Sequence, residues 1–414
     1  MKKFDYDVIV VGGGPAGMAC GISASENGAK TLIIERENKL GGILKQCIHS
    51  GFGLHYFGEE LTGPEYAYRF IDKLSQTQEK YSLEVMLETF VIKVESNAVT
   101  IKNQNGIKKL TCGSVVLSMG CRERTAGAIS LNGTRPSGVW TAGQAQKWVN
   151  SYGYLPCKRP VILGSGDIGL IMARRLTFEG AKPLMVLEVQ PSTSGLARNI
   201  KQCLDDFDIP LYLNTTVVEV LGYPNITGVV IAEVDENRKP IEETKRTVEC
   251  DGLILSVGLI PETDLVRGVE INPMTNSAVV NEYRETSLNS VFACGNVLHV
   301  HDLVDFVTNE SIMVGKFASL NAQGKLKRTK EFKILSGNGV RYTIPNSYYL
   351  GDGELTILFR VTRRFVKSKI EVLNEKNEVI ASKFVLSASG GEMQSIIVDK
   401  SKASGNLTVQ MKEA

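Results

Sequence analysis

Apolar residues gather into short unbroken runs through most of the chain and into closely spaced short strands over its last 80 or so residues. Tyr6 to Val11 is a run of the kind that forms a buried parallel strand. Gly12-Gly13-Gly14-Pro15-Ala16-Gly17 follows at once, and a small-residue pattern predicts a helix to about Asn27. Thr31 to Ile34 predicts a second strand, ending at Glu35. The order then recurs. Pro160 to Leu163 predicts a strand, Gly164-Ser165-Gly166-Asp167-Ile168-Gly169 a turn, and a helix runs to about Glu179. Leu184 to Leu187 follows as a strand ending at Glu188. Near the end, Leu355–Val361, Lys369–Leu373, Val379–Leu386, Gln394–Val398 and Leu407–Met411 read as short strands. Turns are expected at Asn374–Asn377 and Gly390-Gly391, and the segment as a whole predicts a small all-β sandwich.

Strand, G-x-G-x-x-G, helix, strand and acid form a connected signature. Glu35 stands 23 residues after Gly12, and Glu188 stands 24 after Gly164. The first glycine allows a tight turn, the second lets backbone approach a pyrophosphate, and the third lets helix and strand pack closely. The helix N-terminus offers unpaired N–H groups to the phosphate charge. The acid accepts hydrogen bonds from ribose hydroxyls. Two complete fingerprints about 150 residues apart imply two dinucleotide sites in one chain. A single-site dehydrogenase does not explain that. A flavoprotein exchanging hydride with a nicotinamide cofactor does.

Charge and cysteine usage narrow the class. With 47 basic and 45 acidic residues the net charge is +2, whereas a nucleic-acid binder usually carries a strongly basic domain. The uncharged stretch Val8 to Ile22 is too short and too rich in glycine to span a membrane. Lys2 and Lys3 imitate a signal-peptide start, but Asp5 and Asp7 occupy the place of its apolar region. A cytoplasmic protein is therefore expected. The eight cysteines show no CxxC and no zinc spacing, which fits reduced, mostly buried thiols, and no metal site is expected.

The chain resembles the pyridine-nucleotide FAD oxidoreductases, in which an NAD(P)H domain is inserted into an FAD domain. Beyond the two fingerprints, Ser114-Val-Val-Leu-Ser-Met-Gly120 and Leu253-Ile-Leu-Ser-Val-Gly-Leu-Ile-Pro261 resemble the strands that close each domain. Ser290-Val-Phe-Ala-Cys-Gly-Asn296 resembles the late flavin motif, with Asn296 where Asp is frequent. A narrower resemblance, to NADH-linked flavoprotein subunits that accompany glycerol-3-phosphate, opine or proline dehydrogenases, rests on three segments. These are Gly41-Gly-Ile-Leu-Lys-Gln-Cys-Ile-His-Ser-Gly-Phe-Gly53, Gly120-Cys-Arg-Glu-Arg124 and His299-Val-His-Asp-Leu-Val-Asp305.

The resemblance implies an α/β fold with two Rossmann-like domains plus the β sandwich. Residues 1–124 and 264–324 would bind FAD and residues 125–263 NADH; residues 325–333 would be a charged linker and 334–414 the C-terminal domain. FAD would be held by Gly12, Gly14, Pro15, Ala16, Gly17, Glu35, Arg36, Gly41, Gly42, Gly120, Gly295 and Asn296. NADH would be held by Gly164, Gly166, Asp167, Ile168, Gly169 and Glu188. Glu188 favours NADH over NADPH by accepting from the 2′-hydroxyl and repelling a 2′-phosphate, although Arg198 lies ten residues on.

Two residues are candidates for catalysis. Cys47 is a packed thiol near the flavin, a thiolate cycling through sulfenic acid, or half of a disulfide. The four histidines (His49, His55, His299, His301) fall in or just beyond the two segments the resemblance places beside the flavin, and His301 is the candidate for proton transfer. The C-terminal segment from residue 333 carries twelve basic and eight acidic side chains, with Arg360, Arg363, Arg364, Lys367 and Lys369 as its densest cluster. That cluster reads as a solvated strand face, or as a docking surface for an acidic partner. The expected function is hydride transfer between NADH and FAD, with electrons passing to or from a partner dehydrogenase or small redox protein in a homo- or hetero-oligomer. The rivals are a self-contained NADH oxidase or peroxidase using Cys47, and a non-catalytic nucleotide-binding scaffold protein.

Overall fold

Tyr6–Val11 runs parallel to Thr31–Ile34 on one side and to the second half of the long strand Gly106–Leu117 on the other. Val8, Ile9 and Val10 are wholly buried, as a central parallel strand requires. The computed structural model describes residues 4–413, so Lys2 and Lys3 lie outside the described residues. Leu83–Met86 and Val291–Ala293 extend the parallel part of this sheet, and the antiparallel hairpin Phe90–Glu95 and Ala98–Asn103 completes it at seven strands. The pleat sends alternate residues to two cores. Val8 and Val10 pack with helices α1 (Pro15–Glu26), α2 (Gly63–Lys80) and, later in the chain, the long helix of residues 304–322. Ile9 and Val11 pack on the opposite face, with Val280, Val297, Leu298, Tyr342 and Ile344.

The chain divides into two compact units, one of Met1–Cys121 with Pro261–Ala414 and one of Arg122–Ile260. The second repeats the parallel plan. Its five-stranded sheet has the order Val139–Thr141, Gly252–Leu255, Pro160–Leu163, Met185–Leu187, Leu211–Tyr212. Helices α3 (Ala142–Tyr152) and α4 (Asp167–Phe178) pack on it, and α5 (Ala197–Cys203) follows. The other face carries a four-stranded sheet built on Thr215–Leu221 and Gly228–Glu233. The segment 253–261 holds two strands: Gly252–Leu255 and Leu259–Pro261 are parted by Ser256-Val257-Gly258, with Gly258 at φ +103°.

In the first unit the chain ends in α6 (Val304–Ala322) and then the sandwich. A five-stranded sheet (Ser347–Tyr349, Glu331–Ser336, Leu407–Glu413, Phe365–Leu373, Val379–Ala388) faces a three-stranded one (Val340–Ile344, Glu354–Val361, Gln394–Asp399) across a core that includes Tyr348, Phe359 and Ile370. The fold is therefore α/β with two parallel dinucleotide-type sheets and a C-terminal β sandwich. Within the charged stretch 325–333, Arg328 clamps the Glu285 carboxylate in a bidentate pair and a strand begins at Glu331. Arg360 is not part of a solvated face. Its side chain is 14% exposed and paired with Asp302, while Arg363, Arg364, Lys367 and Lys369 stay exposed. No helix among the described residues is long and apolar enough to cross a membrane.

Candidate functional site

Three loops converge on the N-terminus of α1. In the first, Gly12 holds φ +106°, and a Cβ on Gly17 would fall 1.8 Å from the Gly12 carbonyl oxygen, so helix and turn are in direct backbone contact. Gly14 is different: a Cβ there would meet nothing nearer than Gly42 Cα at 4.0 Å. Gly14 is also the N-cap of α1, with no side-chain cap and no acid in the first turn, so the helix keeps its N–H groups for an anion. The second loop lies across this turn. Gly41 N–H donates to the Gly13 carbonyl (2.9 Å), and a Cβ on Gly42 would stand 3.0 Å from Gly14 Cα. The third arrives with Gly295 at φ +70°, where a Cβ would stand 2.8 Å from Ala16 Cβ.

Glu35 is buried and fastens the turn. Its two carboxylate oxygens accept from Gly13 N–H (2.7 Å) and Glu37 N–H (2.8 Å), and each keeps further lone-pair capacity. Thus Gly12, Gly14, Pro15, Ala16, Gly17, Glu35, Gly41, Gly42 and Gly295 are brought together. Arg36 is exposed just beyond them, and Gly120 (φ +72°) lies two residues past Ser118, which packs under the turn.

The second unit repeats the device. A Cβ on Gly164 would stand 2.1 Å from the Ser256 carbonyl oxygen and one on Gly169 2.7 Å from Ser256 Cβ, whereas Gly166 has its nearest neighbour at 3.3 Å. Gly166 caps α4 without a side-chain bond. Asp167 accepts through one oxygen from Leu196 N–H and Asn199 Nδ2, which ties the following loop to the turn, and Ile168 is half-buried behind it. Glu188, 5% exposed, accepts from Ser165 N–H (3.0 Å) and Oγ with one oxygen and from Gln190 N–H (2.9 Å) with the other. It borders a cavity of about 1010 Å³ that Gly164, Gln190, Arg238, Lys245 and Ser256 also line. Arg198 is exposed on α5 and does not line it.

The two histidine-bearing segments meet at the start of α6. His55 N–H donates to Asp305 Oδ2 (3.2 Å) and its ring stacks on Phe306. Cys47 is 5% exposed, its thiol donates to the Ile43 carbonyl, and burial pushes its pKa up to about 12. At neutral pH it is a thiol, which speaks against a thiolate nucleophile. His301 is buried, with Nε2 3.0 Å from Glu310 Oε2. Glu310 also receives Arg284 Nε (3.0 Å) and Gly295 N–H (3.0 Å). Burial alone would raise the Glu310 carboxyl; His301 and the Arg284 guanidinium outweigh it and hold the group well below the usual range.

The comparisons with known proteins agree with this geometry. The model of the pyridine nucleotide-disulphide oxidoreductases matches residues 6–318. The chain belongs to that family. An opine oxidase subunit of Agrobacterium tumefaciens is 24% identical over 63% of this chain and 54% of its own length. The HcnB subunit of hydrogen cyanide synthase from Pseudomonas protegens is 24% identical over 70% and 65%. The matched stretch thus spans about half to two thirds of these relatives. Thioredoxin reductase of Mycolicibacterium smegmatis is 24% identical over 77% of this chain and 96% of its own. Among solved structures, T. acidophilum thioredoxin reductase superposes with a TM-score of 0.62 at 22% identity, over 78% of this chain and 99% of that one. Reduced Bacillus anthracis CoADR-RHD gives 0.60 at 14%, over 97% and 72%.

FAD fits the first turn of this family member on the structure's own terms: an uncapped helix N-terminus, an open cradle at Gly14 and a buried acid at the second strand. A nicotinamide dinucleotide fits the second turn and its cavity on the same terms. Sequence reasoning did not single out Glu310, Arg284, Asp305 or Tyr342. Asp305 closes the motif that begins at His299, but its burial at the first turn of α6, with Oδ1 lacking a hydrogen-bond partner among the described residues, shows only in three dimensions.

Proposed function

We propose that the protein binds FAD on the Gly12–Gly17 turn and NADH on the Gly164–Gly169 turn, and serves as the NADH-linked member of an electron-transfer pair. When bound, FAD would supply two-electron chemistry, accepting hydride from NADH and yielding electrons to an acceptor. The chain's own residues do the rest. The α1 N-terminus and Gly14 take the pyrophosphate, and Glu35 takes ribose hydroxyls while bracing the turn. Gly166 and the α4 N-terminus do the same for NADH, with Glu188 at its adenosine ribose. The observation that carries this reading is the pairing of two glycine turns at uncapped helix N-termini, at Gly14 and Gly166, each with a buried acid hydrogen-bonded back to its own turn. Two relatives named as subunits, those of opine oxidase and of hydrogen cyanide synthase, support a protein partner as the acceptor or donor. The test is the absorbance of the purified protein. A flavin spectrum that bleaches on NADH addition without oxygen is the expected result; nucleotide binding without a bleachable flavin would leave the scaffold reading.

A further inference from the structure

The loop Gly295–Asp302 has only a short 3₁₀ turn of its own, so its position depends on side chains. From the α6 side, Glu310 holds Gly295 N–H and His301 Nε2, and Asn296 Oδ1 accepts from His301 N–H (3.1 Å). From the other side the hold comes from the sandwich. Tyr342 and Arg360 are direct cross-strand partners on Val340–Ile344 and Glu354–Val361. Arg360 donates to the Val300 carbonyl (3.0 Å) and to Asp302 Oδ1 (2.6 Å). Met393 N–H donates to Asp302 Oδ2 (2.6 Å), and the Tyr342 hydroxyl shares a hydrogen bond of 3.1 Å with His299 Nδ1. The family match ends at residue 318, so these contacts join a part of the chain outside that match to a loop inside it.

A second observation marks the loop as a ligand site. His299 is 2% exposed, yet its Nε2 has no hydrogen-bond partner among the described residues. A buried ring nitrogen left that way is costly unless a bound group satisfies it. With Nδ1 engaged by Tyr342, Nε2 is the atom left for such a group.

We propose that Tyr342 and Arg360 are positioning residues of the FAD site: a cross-strand pair of the C-terminal sandwich that holds Gly295–Asp302 against the first turn of α1. The proposal rests on the reading of the Gly12–Gly17 turn as the FAD site. It makes the sandwich a part of that site rather than an appended docking module. Without the pair, Gly295 and Asn296 lose one of the two sides that fix them, and the cofactor meets a loop that must be ordered on binding.

The test uses the full chain stripped of flavin and three variants, Arg360→Met, Arg360→Lys and Tyr342→Phe. FAD affinity is read by fluorescence quenching, loop order by hydrogen exchange over residues 295–302, and fold stability by thermal melting. Arg360→Met is expected to weaken FAD binding about tenfold and to speed exchange in the loop, because a site held loosely by its supporting contacts loses affinity. Arg360→Lys keeps the charge and should recover most of that loss. Tyr342→Phe removes one oxygen and should weaken binding about threefold on the same grounds. A lower melting temperature with unchanged FAD affinity and unchanged loop exchange would overturn the proposal, since that is what a purely structural role gives. Should Arg360→Met fail to fold, Tyr342→Phe decides alone by the same two readouts. A wild-type chain that does not take up FAD would overturn the flavin reading itself, and this proposal with it.

Discussion

Gly14 and Gly17 sit three residues apart in one turn, yet the structure surrounds them in opposite ways. A side chain on Gly17 collides with the Gly12 backbone, whereas one on Gly14 enters open space. Gly14→Val is therefore expected to fold and melt like wild type but to lose FAD, while Gly17→Val loses both flavin and stability through overpacking. Equal loss of stability in the two, measured by thermal melting beside flavin content, would remove Gly14 from the phosphate site. Glu188 poses a question of selectivity. Its carboxylate anchors Ser165 and also borders the cavity that Arg238 and Lys245 line. Glu188→Ser should lower turnover with both nucleotides, because the turn loosens. It should also raise the NADPH-to-NADH ratio of kcat/KM about tenfold, as a repelling charge disappears from beside two basic side chains. A ratio that stays put would take Glu188 out of the ribose site.

At the level of elements, α6 carries a buried charge network of the first unit. Glu310 sits two turns into the helix and faces Arg284 and His301, and its pKa is depressed from an ordinary 4.5. A depressed carboxyl stabilises the fold fully above its ordinary pKa and loses that contribution as pH falls toward the folded value. Glu310→Gln is expected to cost about 3 kcal/mol at neutral pH, since it strands a buried guanidinium. The gap to wild type should narrow below about pH 4.5. Urea unfolding of both proteins across pH 3 to 7 checks this; a gap constant over that range would mean that the Glu310 carboxyl titrates alike in the folded and unfolded chain, without the depression its partners impose. How much of this was legible in the sequence follows the range of the contacts involved. Tyr6–Val11, Thr31–Ile34 and Pro160–Leu163 are buried runs punctuated by glycine turns, so local pattern suffices to place them. The strands Glu331–Ser336, Val340–Ile344 and Ser347–Tyr349 were missed, because a basic stretch precedes them and Pro345 interrupts them. Arg360 read as solvated because Asp302, which pairs with it, is 58 residues away and on no repeating pattern. The Arg284–Glu310 pair was invisible for the same reason.

For the molecule as a whole, the two nucleotide readings fix an electron count. Each of the two compact units carries one glycine turn, and no further redox centre is needed to link NADH to an outside acceptor. Cys47 is the candidate for changing that count, as a sulfenic acid or disulfide would store two more electrons. Its surroundings argue against storage: the thiol is buried, donates to the Ile43 carbonyl, and is pushed up to about 12 by burial, so the reactive thiolate is scarce at neutral pH. Anaerobic titration of the FAD-loaded protein is therefore expected to consume about one NADH per flavin, because hydride transfer delivers two electrons to one ring. Cys47→Ser should leave both that stoichiometry and NADH-to-dye electron transfer near wild type, since a soluble dye draws electrons from the flavin directly. A peroxidase-like protein would behave otherwise. It would need about two NADH per flavin in wild type, fall to about one in Cys47→Ser, and lose peroxide reduction in the same variant, a pattern that would replace the partner-linked reading with one centred on the thiol.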